Sequence, residues 1–291
     1  MEAALALCRF AHFAAAMTLF GATAFVVALA PPDLSRALAP ATRAIAAATI
    51  PIAALSALVW LALESASMAD DWSAFFDLGS INAVLTDTDF GAVWLWRLGL
   101  AAALVAVPAL GYGGPMLALL VGAALQLASL GLVGHAAMQA GAFGALHRAN
   151  DALHLLAAAA WFGGLPMFAL SLKAYRDASL SVAAVTAMRR FSFWGQLDVA
   201  LIVLTGIVNV ALTSGFGAFA LTAPYRMLLD AKFVVVAAMV ALALINRYVL
   251  APRLTPDSRT QRALTRNCVA ELVLGAMVIA LVSLFGLLDP S

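Results

Sequence analysis

Apolar stretches of about twenty residues, each bounded by prolines, glycines or clustered charges, recur along nearly the whole chain. Eight of them, approximately 8–30, 41–63, 92–110, 114–136, 151–172, 192–213, 227–249 and 266–288, reach the length a helix needs to cross a bilayer. Pro31-Pro32, Pro40, the run Gly111-Tyr112-Gly113-Gly114-Pro115 and Pro252 punctuate them as turn and breaker signals. The pattern predicts an all-α polytopic membrane protein, one domain over residues 1–291 with a bundle of about eight spanning helices. The tight link 111–115 makes the third and fourth spans an antiparallel hairpin. Ala28-Leu29-Ala30 looks like a leader cleavage site, but Glu2 precedes the only early base, Arg9, and the apolar run exceeds a usual signal core, so a retained first span is expected.

Composition agrees: 65% of the residues are hydrophobic and 11% charged, far from the balance of a soluble domain. A net charge of +1, with no extended Lys/Arg run, argues against nucleic acid as a partner and leaves membrane lipid as the surrounding medium. The placement of charge sets the orientation. Arg36 and Arg43, then Lys173, Arg176, Arg189 and Arg190, then Arg247, Arg253, Arg259, Arg262 and Arg266 mark the 1–2, 5–6 and 7–8 loops as cytoplasmic. Both termini are then periplasmic, and the external 2–3 connection carries Glu64, Asp70, Asp71, Asp77, Asp87 and Asp89. Those acids fit either a solvated loop face or a funnel that concentrates cations, and Trp72, Phe75 and Phe76 fit an interfacial helix.

All four histidines, His12, His135, His147 and His154, fall at the outer level in this orientation, with His147 in the external 4–5 connection. His135, Met138 and Gln139 have helical spacing, as do His147, Asp151 and His154. Imidazole with thioether suits copper in either oxidation state, and Asp151 suits a carboxylate that orients a ligand. The expected metal ligands are therefore His135, His154, His12, Met138 and His147. Each histidine alone also fits a hydrogen bond between neighbouring helices. Asp198, Thr205 and Asn209 form a polar stripe along span six, read as a transport path or as helix-to-helix bonding. Glu271 reads as the ion-pair partner of a nearby arginine, Asp230 and Lys232 as a snorkelling or paired couple, and Cys8 and Cys268 as unpaired thiols at opposite faces. No nucleotide-binding loop appears, so no ATP-driven enzyme is expected. The alternative reading is a redox protein holding haem b between paired histidines.

The run His154-Leu155-Leu156 to Trp161-Phe162-Gly163-Gly164-Leu165 resembles the His-x6-Trp-x-Gly-Gly signature of the bacterial copper resistance protein D (CopD) family. Gly134-His135-Ala136, Arg190-Phe191-Ser192, Thr205-Gly206, Thr88-Asp89-Phe90-Gly91 with Trp94 and Arg97, Lys232, and Asn246-Arg247 extend the resemblance in order over nearly the whole chain. It implies a multi-pass inner-membrane protein of copper homeostasis and copper resistance that moves copper from periplasm to cytoplasm. It also implies a separate periplasmic copper-binding partner of the CopC type. His135 and His154 match motif positions, whereas Met138 and His147 rest on spacing alone.

Overall fold

The computed structural model describes residues 1–107, 115–134, 139–213, 224–256 and 258–288. Among these the chain is helical throughout, in nine helices: α1 (Glu2–Ala24), α2 (Pro32–Ala69), α3 (Leu78–Asp87), α4 (Asp89–Ala106), α5 (Pro115–Ala128), α6 (Gly141–Ala174), α7 (Ser181–Thr213), α8 (Pro224–Ile245) and α9 (Arg259–Phe285). Seven helical segments are long and apolar enough to cross a membrane: α1 with its π-helical extension Phe25–Leu29, α2, α4, α6, α7, α8 with its extension to Arg253, and α9. The expected all-α polytopic architecture is present.

Several boundaries differ from the sequence reading: α2 and α7 begin at Pro32 and Ser181 and not at 41 and 192, and the differences at α5 and α6 have local causes. The expected span 114–136 is the shorter apolar helix Met116–Leu132, because α5 tightens into a 3-10 turn at Ser129–Leu132 before extended Val133 and Gly134 at φ +77. Helix α6 starts ten residues before the expected 151, at Gly141 with φ +69, so His147 is a buried helical residue and not a loop residue. The polar run Arg148-Ala149-Asn150-Asp151 looks like a loop, yet its side chains are satisfied within the bundle. The acidic 2–3 connection folds as a 3-10 turn, Trp72–Phe75, and the short α3, capped by the Asp77 carboxylate on the N–H groups of Gly79 and Ser80. Bonds from Ser73 and Ser80 hold Asp71 and Asp77 below the usual carboxylate range, so this face stays negative into mild acid. Trp72, Phe76 and Leu78 are exposed beside it. The Gly111–Pro115 hairpin link falls largely outside the described residues, but Leu104 packs on Gly122 while Arg97 reaches Ser129, which makes α4 and α5 antiparallel.

Helices α1 and α6 form the spine. A Cβ on Gly21 would lie 2.4 Å from the Ala159 carbonyl oxygen, and one on Gly163 would lie 2.0 Å from that of Met17. The two backbones meet where only glycine fits, as small residues permit in membrane helices. On one side of the spine α2, α4 and α5 pack around Leu19, Ala46, Leu104 and Ala123. On the other lie α7, α8 and α9, with α6 antiparallel to both α7 and α9. Arg190 of α7 donates to the Leu29 carbonyl, which brings the ends of α1 and α7 together on the basic face. Both cysteines are free and buried, as expected.

Candidate functional site

Beside the α6–α7 contact a polar cluster surrounds His154. The Thr205 hydroxyl donates its single proton to the Leu201 carbonyl at 2.5 Å, so its oxygen accepts the Nδ1–H of His154 at 2.9 Å. With Nδ1 as the donor, the lone pair of the neutral ring lies on Nε2. A hydrogen bond to the Ile202 backbone of α7 also holds the ring. One turn earlier, Asn150 donates to the Thr205 carbonyl (3.0 Å) and to Asn209 Oδ1 (2.6 Å), and Asn209 donates to Asp151 Oδ1 (2.9 Å). The Lys232 ammonium, 5.7 Å from the centre of the Phe285 ring, lies within electrostatic reach of both Asp151 and His154.

His147 repeats this arrangement two turns nearer the acidic end. Gln139 Nε2 donates to the Leu212 carbonyl at 2.8 Å, which leaves Gln139 Oε1 to accept the Nδ1–H of His147 at 3.0 Å. Nδ1 is the nitrogen held here as well. Seven residues separate the two imidazoles, about 10 Å of helix rise, so one ion cannot bind both while α6 stays intact.

His12 faces the other side of the spine. Fully buried Arg97 donates to His12 Nε2 at 2.6 Å, and His12 Nδ1 then donates to Ser56 Oγ (2.9 Å) and toward the Ala53 carbonyl (3.2 Å). Arg97 also donates to the Gln126 carbonyl (3.0 Å) and to Ser129 Oγ (2.6 Å), with its charge 4.9 Å from the Trp94 ring. An arginine has only donors, so the His12 lone pair is occupied. Sequence reasoning noted Arg97 among the residues that carry the resemblance and gave it no structural role; an ionisable residue inside span three was the signal that it is buried.

The structure thus places His147 and His154 on one face of α6 and His12 elsewhere, while His135 and Met138 lie outside the described residues. Among the described residues no three His, Cys, Asp or Glu side chains gather as a metal-holding group. Thr205 and Asn209 of the stripe face His154 and Asp151; Asp198, two turns further along α7, is partly buried. Glu271 makes no ion pair among the described residues: its carboxylate accepts from Trp161 Nε1 (3.3 Å) and Asn246 Nδ2 (2.6 Å), and Arg247 is turned instead to Ser192. Lys232 is within electrostatic reach of Asp151, and among the described residues it forms no ion pair with Asp230, whose Oδ2 is buried there without a hydrogen-bond partner.

Among the described residues, seven long apolar helices packed around buried polar clusters define a multi-pass membrane protein. The family profile for the copper resistance protein D-like N-terminal domain matches residues 1–145, and that for copper resistance protein D matches residues 185–285. The chain belongs to the copper resistance protein D family. It is 32% identical over 283 residues to the inner membrane protein YebZ of Escherichia coli, covering 97% of both chains. It is 29% identical over 295 residues to copper resistance protein D of Pseudomonas syringae pv. tomato, covering 97% of this chain and 95% of that one. Copper transport protein CutJ of Bacillus subtilis is 30% identical over 207 residues, 67% of this chain and 37% of that longer one. No solved structure matches significantly. The protein is a multi-pass inner-membrane protein of a copper-handling family.

Proposed function

We propose that the protein receives copper at its acidic, periplasmic face and passes it toward the basic, cytoplasmic face. The observation that carries this reading is the hold on His154, whose Nδ1 meets the Thr205 hydroxyl, so that Nε2 is the nitrogen offered to an ion. Metal-binding histidines are ordinarily held in this way. His135 and Met138 of the connected segment complete the receiving site with His154, and His147 attends the entrance two turns above. Copper, with imidazole and thioether donors, suits this set. His12 is assigned to holding Arg97 and not to the ion. Thr205 and Asn209, with Asp198 deeper, line the way inward along α7.

The acidic turn and α3 supply the field that draws a cation, or a basic region of a separate periplasmic carrier of the CopC type, to the entrance. Movement is downhill or coupled to another ion. Reconstituted protein should carry copper into sealed proteoliposomes, and replacing His135 and His154 together by alanine should reduce entry to the protein-free rate. Unchanged uptake by that double variant overturns the receiving site. Strong haem absorption in the purified protein, in place of bound copper, overturns the copper reading itself.

A further inference from the structure

At the basic end of the bundle α7 packs on α6 and the extension of α8 packs on α9, and long polar side chains join the two. Arg247, in the π-helical turn Asn246–Leu250, donates through Nη1 to the Ser192 carbonyl at 2.7 Å and to Ser192 Oγ at 2.6 Å. Gln196, one turn further along α7, donates to the Tyr248 hydroxyl at 2.9 Å. The Arg247 guanidinium stands 5.6 Å from the centre of the Tyr248 ring. Leu250 and Leu254 close the end of this seam in one packed cluster with Ala184 and Met188 of α7.

The polar seam faces outward. Gln196 and Tyr248 are exposed, and so are Phe193, Trp194 and Leu197 of α7, Leu244 of α8 and Val249 of its extension. Exposed faces of spanning helices meet acyl chains, which offer no hydrogen bond to an amide, a phenol or a guanidinium. Gln196 lies six residues past Arg190, about 9 Å of helix rise in from the arginines at the end of the bundle. Donors are also left over. Arg247 spends only Nη1 on Ser192, and among the described residues its other nitrogens form no hydrogen bond. The Tyr248 hydroxyl accepts from Gln196 and keeps its own proton to give. Exposed Arg189 lies one turn before Ser192 on the same face of α7. Among the described residues neither Arg189 nor Arg247 forms an ion pair.

We infer that the seam between α7 and the extension of α8 binds an anionic phospholipid, its phosphate on Arg247, Tyr248 and Arg189 and its acyl chains along the exposed apolar side chains beside them. Guanidinium groups match phosphate oxygens in both geometry and charge. Basic pockets between spanning helices take anionic headgroups for this reason. A zwitterionic lipid brings a second, positive charge that the two arginines repel, so phosphatidylglycerol or cardiolipin is favoured over phosphatidylcholine. A lipid held here ties α7 to α8 at the turn where α8 leaves regular α-helical geometry. The inference rests on the membrane setting of the chain and not on copper.

The test uses the full chain in detergent, stripped of native lipid, with native mass spectrometry counting the lipids retained and thermal unfolding reading their effect. Dioleoyl phosphatidylglycerol should be retained as one tight equivalent and raise the unfolding midpoint. Dioleoyl phosphatidylcholine, with the same acyl chains, and inorganic phosphate should do neither. Arg189→Gln and Tyr248→Phe, both at exposed side chains, should each weaken the tight equivalent by about tenfold or more. Arg36→Gln removes the same charge from the start of α2 and should leave that equivalent unchanged. Equal retention of the two lipids overturns the site whether or not the variants fold well, and so does stabilisation by phosphate alone equal to that by the lipid. Equal losses in Arg36→Gln and Arg189→Gln overturn it as well, because diffuse surface charge then accounts for the binding. A dimer that retains no lipid assigns the seam to a second copy of the chain and overturns the lipid site too.

Discussion

Replacing Gly163 by valine should leave little folded protein in the membrane. A Cβ at this position would lie 2.0 Å from the Met17 carbonyl oxygen, 2.9 Å from its carbonyl carbon and 3.0 Å from Gly21 Cα, all of them backbone atoms of α1. Overpacking that displaces flexible side chains costs about 1–3 kcal/mol, and here two helix backbones must separate, which puts the cost at about 3 kcal/mol or more. The loss is not confined to this contact, because α1 and α6 carry the packing of both halves of the bundle. Gly99→Ala provides the control, since nothing lies within 4 Å of the added methyl. Thermal unfolding in detergent should show the valine variant far below wild type and the Gly99 variant alongside it. Equal stability of the two variants would contradict the close approach of α1 and α6.

Replacing His12 by alanine should damage the fold more than copper binding. The substitution removes the acceptor for a guanidinium that is 0% exposed, and Arg97 Nε already lacks a partner there. An unsatisfied buried charged donor costs about 3 kcal/mol. Glutamine offers a carbonyl oxygen in place of imidazole Nε2, so His12→Gln should recover much of the stability, and both variants should keep copper bound at His154. A His12→Gln protein that is stable but has lost copper would place His12 among the ligands and displace the present assignment.

Much of the architecture was legible in the chain, because a spanning helix must satisfy its own backbone and therefore appears as a long apolar run. The departures occur where local geometry overrides hydropathy. Gly134 and Gly141 take positive φ and set the end of α5 and the start of α6, and hydropathy does not register that. Pro40 looks like a break yet sits inside α2. The polar residues at the start of α6 read as a loop because their satisfaction by Thr205, Asn209 and Gln139 is tertiary.

The candidate site was legible to a lesser degree. Spacing alone put His147 and His154 on one face of a helix, and the spacing of Thr205 and Asn209 put them on a stripe; the structure turns that stripe toward His154 and Asp151. Depth, however, does not reveal direction. His12 shares the outer level, but it lies on the opposite side of α1, toward Ser56 of α2 and Arg97 of α4. The role of Glu271 was hidden for a related reason: nearby arginines in sequence suggest an ion pair, whereas in space Arg247 bonds to Ser192 and leaves the carboxylate to neutral donors.

Copper received at Nε2 of His154 should be visible by anomalous diffraction at the copper edge, from crystals of the full chain grown with copper. An anomalous peak should lie at bonding distance from His154 Nε2, with the Nδ1 bond to Thr205 intact and His12 still bound to Arg97. A peak at His12 with Arg97 displaced, or copper bound with none beside His154, would contradict it.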